Sequence, residues 1–164
     1  MPGLRRELAA QLPHVDFFVD RLRVKININL SADLSKLSDV VEGVLSMLKA
    51  MDCGCGKEFE LEISLREALS NAIIHGCGKD PSKFVQCTVA CDEGRGLLIV
   101  IRDPGEGFDP AKLPSPLFGE NIYSDHGRGV YLINQLVDKV KYEKGGTEIH
   151  MHMQSTVCDG YDIQ

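Results

Sequence analysis

Apolar and polar residues alternate from Arg23 to Leu30. Val24, Ile26, Ile28 and Leu30 are apolar, while Arg23, Lys25, Asn27 and Asn29 are polar. A period of two predicts a strand with one buried face. Ser31-Ala32-Asp33 offers helix-capping residues. From about Leu34 to Met51 the period lengthens, and Leu34, Leu37, Val41, Val44, Leu45 and Leu48 fall on one helical face. Cys53-Gly54-Cys55-Gly56 interrupts this helix. A second helix is predicted over Glu60–Gly76, where Leu61, Leu65, Leu69 and Ile73 recur every four residues with Ala68 and Ala72 beside them. Glu67, Asn71 and His75 recur at the same interval on a stripe roughly opposite the Leu65–Leu69–Ile73 line. Gly76 reads as the C-terminal stop of this helix, and His75 as a structural residue ending it. Upstream of the first strand the pattern is ambiguous. Leu4–Leu12 fits a short helix ended by Pro13, with Phe17, Phe18 and Leu22 free to pack it onto a partner or the main body.

Beyond Gly76, Gly78-Lys79-Asp80-Pro81 forms a turn. Phe84–Cys91 and Leu97–Arg102 read as two strands of a tight hairpin. No periodicity survives between Pro110 and His126, and an aperiodic stretch of that length in a compact domain is a candidate functional loop. Gly127-Arg128-Gly129 opens a third helix with Val130, Leu132, Ile133, Leu136 and Val137 apolar. Val140–Glu143 and Thr147–Met153 close the chain as a hairpin over Lys144-Gly145-Gly146. The order strand, two helices, two strands, loop, helix, two strands lacks the strict alternation of a doubly wound fold. It predicts an α+β, two-layer sandwich: a mixed, mostly antiparallel sheet covered on one face by helices.

Composition narrows the function. The 164 residues are 43% hydrophobic and 26% charged, as in a folded soluble domain. A net charge of −6 argues against a general affinity for nucleic acid or anionic membrane. No apolar run is long enough to span a bilayer, and MPGLRRELAAQLPH lacks the apolar stretch of a secretory signal. The six cysteines include Cys53-Gly54-Cys55, which is too tight for a Cys-x-x-Cys zinc knuckle, so free reduced thiols are expected. A metal or redox-sensing role for Cys53, Cys55 and Cys77 is the outlying alternative.

Two glycine motifs carry candidate chemistry. Asp103-x-Gly105-x-Gly107 ends a strand. Its carboxylate can accept from an exocyclic amine, and its glycines admit a flat ligand close to the backbone, although Asp-Pro-Gly also makes a plain turn. Gly127-x-Gly129 precedes a helix and so offers backbone amides and the helix dipole to an anion, or serves only as a turn. Neither is a P-loop or a dinucleotide fingerprint.

Taken together, Glu67-x-x-x-Asn71-x-x-x-His75-Gly76, Asp103-x-Gly105-x-Gly107, Gly127-x-Gly129 and Gly146-Thr147 resemble the Bergerat-type ATPases (GHKL), which include histidine kinases and gyrase B subunits. The wording from Arg128 to Ile133, with Val137-Asp138 and Gly145-Gly146-Thr147-Glu148, resembles the anti-sigma factor serine kinases, with a histidine-kinase-like ATPase domain. The resemblance spans about Val24 to Met153. It implies three regions: an N-terminal extension over 1–22, an ATP-binding domain over 23–154 and a tail over 155–164.

The resemblance further implies that Asn71 binds Mg²⁺, that Glu67 acts as base for the attacking hydroxyl, and that Asp103 bonds the adenine amine. Gly105 and Gly107 would form the nucleotide-facing turn, Pro110–His126 the ATP lid, and Gly127 and Gly129 the phosphate cradle. Thr147 would support adenine beside Asp103. Arg128 would either act on the γ-phosphate or point to solvent. Where some members carry a basic residue before the glycine turn, this chain has Asp125-His126. The implied activity is a cytoplasmic, Mg-ATP-dependent serine/threonine kinase acting on a STAS-domain antagonist and binding a sigma factor or other regulator. Relatives of this kind often form homodimers. Transfer to histidine is not expected, because no upstream dimerisation region with an acceptor His is present and His14 follows Pro13 near the terminus. The alternative is a non-catalytic module that sequesters a partner when ATP closes the lid.

Overall fold

A computed structural model describes residues 22–54, 56–92, 94–112 and 125–154. The expectations for Leu4–Leu12, Pro13, His14, Phe17 and Phe18, for Cys55 and Cys158, for the tail and for 113–124 of the loop lie outside these residues. So do the side chains of Asp125 and His126.

Strand β1 spans Leu22–Ser31. A 3₁₀ turn, Leu34–Lys36, follows, with Asp33 accepting from the Ser35 amide at 2.9 Å, and leads into helix α1, Leu37–Ala50. Helix α2 spans Glu58–Asn71 and continues as a π-helical turn, Ala72–Gly76. Strands β2 (Phe84–Asp92) and β3 (Gly96–Arg102) form the first hairpin. After a 3₁₀ turn at Pro110–Lys112 come helix α3 (Asp125–Leu136) and the second hairpin, β4 (Lys139–Glu143) and β5 (Glu148–Met153). The sheet order is β1-β2-β3-β5-β4. Every described pairing is antiparallel, so the parallel component of the expected mixed sheet is absent among the described strands.

Alternation sorts each strand onto two faces. Val85, Cys87, Val89 and Cys91 of β2, Leu97, Ile99 and Ile101 of β3, and Ile149, Met151 and Met153 of β5 share one core with the helices. The four-residue stripe Leu61, Leu65, Leu69 and Ile73 is at most 1% exposed there. The helices therefore cover one face, as the α+β sandwich requires. Lys57, just before α2, donates to Asp138 at 2.8 Å and fastens α2 to the α3–β4 junction. No helix among the described residues is long and apolar enough to cross a membrane.

Three expectations are corrected. Cys53 and Cys91 are not free thiols but a disulfide. The chain turns back through Asp52 (φ 53°) and Gly54 (φ 76°), which lays Cys53 against the end of β2 with the Cα atoms 6.3 Å apart, within bonding reach. Cys77 and Cys87 are free and buried. Gly76 is not a left-handed helix stop; the positive φ angles come later, at Gly78 (63°) and Lys79 (58°). The loop ends early as well: α3 starts at Asp125, so Gly127 and Gly129 lie inside its first turns rather than before it.

Candidate functional site

An open cleft lies between the helices and one end of the sheet. The C-terminal part of α2 supplies Ala68, Asn71 and Ala72, and its π-helical turn adds His75 and Gly76. Helix α3 supplies Val130 and Ile133, while Ile101, Tyr142 and Ile149 rise from the sheet. Asp103, Gly107 and Phe108 come from the turn after β3, and Gly146 and Thr147 from the turn before β5. The walls are mainly apolar, with a few polar groups converging.

Asp103 is locked at the end of β3. Its amide donates to the Thr147 carbonyl at 3.0 Å, and its Oδ1 accepts from the Gly105 amide at 2.8 Å. Gly76 faces the carboxyl so closely that an added Cβ would overlap the Asp103 side chain; this close approach is why glycine stands there. A Cβ on Gly105 would likewise overlap the Gly76 carbonyl. Burial pushes the Asp103 carboxyl above the usual carboxylate range, against the opposing pull of the Gly105 amide. The turns at Gly107–Phe108 and Gly145–Gly146 meet backbone to backbone in the same way. Thr147 Oγ1 donates to the Lys144 carbonyl at 3.0 Å.

Glu67 and Asn71 occupy the other side. Their stripe is half-buried and turns toward α3 rather than solvent. A Cβ on Gly129 would lie 2.8 Å from Glu67 Oε2 and 3.0 Å from Asn71 Nδ2, so the glycine lets α3 approach both side chains. Gly127 and Gly129 are buried in the first turns of α3 and Arg128 is exposed.

The cleft thus gathers Asn71, Asp103, Gly107 and Thr147 on its surface. Gly105 stands directly behind Asp103, and Glu67 and Gly129 behind Asn71. Gly127 and Arg128 are not among the lining residues. His75 lies in the turn that ends α2 and is exposed at the cleft. Sequence reasoning missed Phe108 and Tyr142. Tyr142 was visible only as an apolar beat in a strand, with nothing local to place it in a cleft.

The donor set bears on what could bind. Among the described residues no cluster of three or more His, Cys, Asp or Glu could hold a metal alone. A cation beside Asn71 and Glu67 would take most of its ligands from a bound anion and water, which suits Mg²⁺.

The sequence profile of the histidine kinase-like ATPase domain matches residues 30–153. Similar proteins include the anti-sigma F factor of Bacillus cytotoxicus, 28% identical over 135 residues, covering 79% of this chain and 92% of that protein. That of Geobacillus stearothermophilus is 26% identical over 144 residues, with 84% and 96% covered. The anti-sigma F factor of Anoxybacillus flavithermus is 27% identical over 147 residues, with 84% and 100% covered. Matched across most of its length and built as a helix-covered sheet around a cleft, the chain belongs to the histidine kinase-like ATPase domain family.

Proposed function

We propose that the cleft binds ATP with Mg²⁺ and that the protein, in the cytoplasm, transfers the γ-phosphoryl group to a serine or threonine of a STAS-domain antagonist while a second surface binds a sigma factor. The observation that carries this reading is the Asp103 carboxylate, held at an apolar cleft with one oxygen on the Gly105 amide. An acceptor-only group at the end of an apolar slot suits the exocyclic amine of adenine. Similarity to anti-sigma F factors supports the regulatory role.

In this reading Gly105 and Gly107 shape the turn that faces the base, and Thr147 flanks it beside Asp103. Gly127 and Gly129, at the N-terminal end of α3, favour the phosphates through the helix dipole. Arg128, exposed in the same turn, would either act on the terminal phosphate or point to solvent. Asn71 supplies an amide oxygen to the cation, and the bound cation would neutralise charge on the phosphates. Glu67, one turn before Asn71, accepts the proton of the attacking hydroxyl. Phosphoryl transfer asks the protein chiefly for positioning and charge neutralisation.

The test is a transfer assay with labelled ATP and a STAS-domain partner from the same genome. Glu67→Gln should still bind Mg-ATP but transfer about 100-fold more slowly. Asn71→Ala should lose Mg-dependent affinity and transfer together. A wild type that binds the partner tightly yet never labels it would replace the kinase with a nucleotide-dependent sequestering module.

A further inference from the structure

Part of the cleft wall rests on the turn between β4 and β5. Lys144, Gly145 and Gly146 there all have left-handed backbones, with φ of 51°, 68° and 90°. Glycine enters that region freely, whereas lysine does so against the clash of its Cβ. The turn packs tightly on its neighbour. A Cβ on Gly107 would overlap the Gly145 carbonyl, and one on Gly146 would overlap the Phe108 carbonyl. Gly107, Phe108, Gly146 and Thr147 all line the cleft. The backbone at Lys144 therefore helps to set where this wall stands.

Two contacts hold Lys144 in place. Its carbonyl accepts from Thr147 Oγ1 at 3.0 Å. Its Nζ meets Glu148 Oε2 at 2.9 Å, behind the sheet. Glu148 is a firm anchor, because it is buried, accepts from Arg102 Nε and contacts His150. Arg102 and Glu148 are cross-strand partners, and at the next step of the same ladder the Asp103 amide donates to the Thr147 carbonyl. Strand alternation thus sets the ion pair directly behind the end of the cleft where Asp103 and Thr147 sit.

We propose that Lys144 and Glu148 are positioning residues of the nucleotide site, their ion pair holding Lys144 in its left-handed conformation and, through it, the turn that forms the base side of the cleft. The proposal rests on the ATP reading of the cleft and deepens it. The Lys144 side chain is 67% exposed, so replacing it leaves the core intact. Lys144→Met removes the tether and keeps the clash of a Cβ. Lys144→Gly removes both. Calorimetric titration of the full chain with Mg-ATP tests the difference. Lys144→Met should bind about three- to five-fold more weakly, the range open to a partly exposed ion pair. Lys144→Gly should bind as wild type does, since glycine needs no tether to hold a positive φ. Glu148→Gln should show the loss of Lys144→Met, and the double variant should lose no more than either alone. Unchanged affinity in Lys144→Met overturns the proposal. Equal losses in Lys144→Met and Lys144→Gly also overturn it, because the lysine would then act through its charge on the nucleotide. Additive losses in the double variant do the same, since Glu148 would not act through Lys144. A wild type that binds no ATP overturns the nucleotide reading, and this proposal with it.

Discussion

Asp103 shows how residues without side chains position one that has chemistry. Gly76 and Gly105 close around its carboxyl, and each would overlap a neighbour if it carried a Cβ. Gly76→Ala should therefore destabilise the fold by about 1–3 kcal/mol, seen as a lower midpoint in urea unfolding. Asp103 itself trades stability for binding. Its pKa is raised in the folded state, chiefly by burial, so folding favours the protonated form. The stability this gives is present below the unfolded pKa and is lost as pH rises through the folded pKa. At neutral pH the ionised carboxyl is thus a burden, and Asp103→Asn should raise the melting temperature of the ligand-free protein. The same variant should bind ATP about ten-fold more weakly or worse, since a charged acceptor has gone. Thermal melts with and without Mg-ATP separate the two effects: wild type should gain stability from ligand, by mass action, and the variant far less.

Among the elements, the crossing of α2 and α3 governs the site. Gly129 sits where α3 meets Glu67 and Asn71. Gly129→Ala sets two effects against each other. Alanine favours the helix by about 1 kcal/mol, while its Cβ presses on the flexible ends of two polar side chains. The melting temperature should change little, but Mg-ATP affinity and transfer should fall together, because the displaced groups are those assigned to the cation and the proton. The Cys53–Cys91 disulfide acts at the other end of α2. It ties the linker before that helix to β2 across a separation of 38 residues. Closing a loop of that length stabilises by about 4 kcal/mol in the chain-entropy account. Dithiothreitol, or Cys53→Ser, should lower the unfolding free energy by up to about that amount, and reduction should have no further effect on Cys53→Ser.

For the whole molecule, acid stability rests on the face of the sheet away from the helices. Glu148 is buried opposite Arg102, its cross-strand partner. It accepts from Arg102 Nε at 2.5 Å, pairs with Lys144 at 2.9 Å and contacts His150 Nε2 at 2.5 Å. Burial alone would push this carboxyl up, but the hydrogen bonds from Arg102, Lys144 and His150 outweigh it and pull it down to about 2. A depressed folded pKa means that the stabilisation is present above the ordinary value of 4.5 and is lost as pH falls toward 2. Melting curves across that window should show a steep acid limb that Glu148→Gln flattens. At neutral pH that variant should lose about 2 kcal/mol, the worth of hydrogen bonds to a charged group.

Periodicity is local, so the sequence determined which segments become strands or helices and which faces they bury. Val24 to Leu30 and Leu61 to Ile73 kept their predicted faces because neighbours two or four residues apart settle them. The order of elements, together with hairpins too short for crossovers, also determined the helix-covered sheet. Contacts between distant residues were a matter for tertiary structure. Strand β5 inserts between β3 and β4, which brings Thr147 beside Asp103. The approach of α3 turned the Glu67–Asn71 stripe from a solvent face into a half-buried one. Gly76 proved to be space for Asp103 rather than a helix stop, and Cys53 found Cys91. Tyr142 came to line the cleft through the packing of Phe108 against its ring. A sequence pattern reports the environment along one element; close approach, pairing and a cleft wall exist only once several elements pack together.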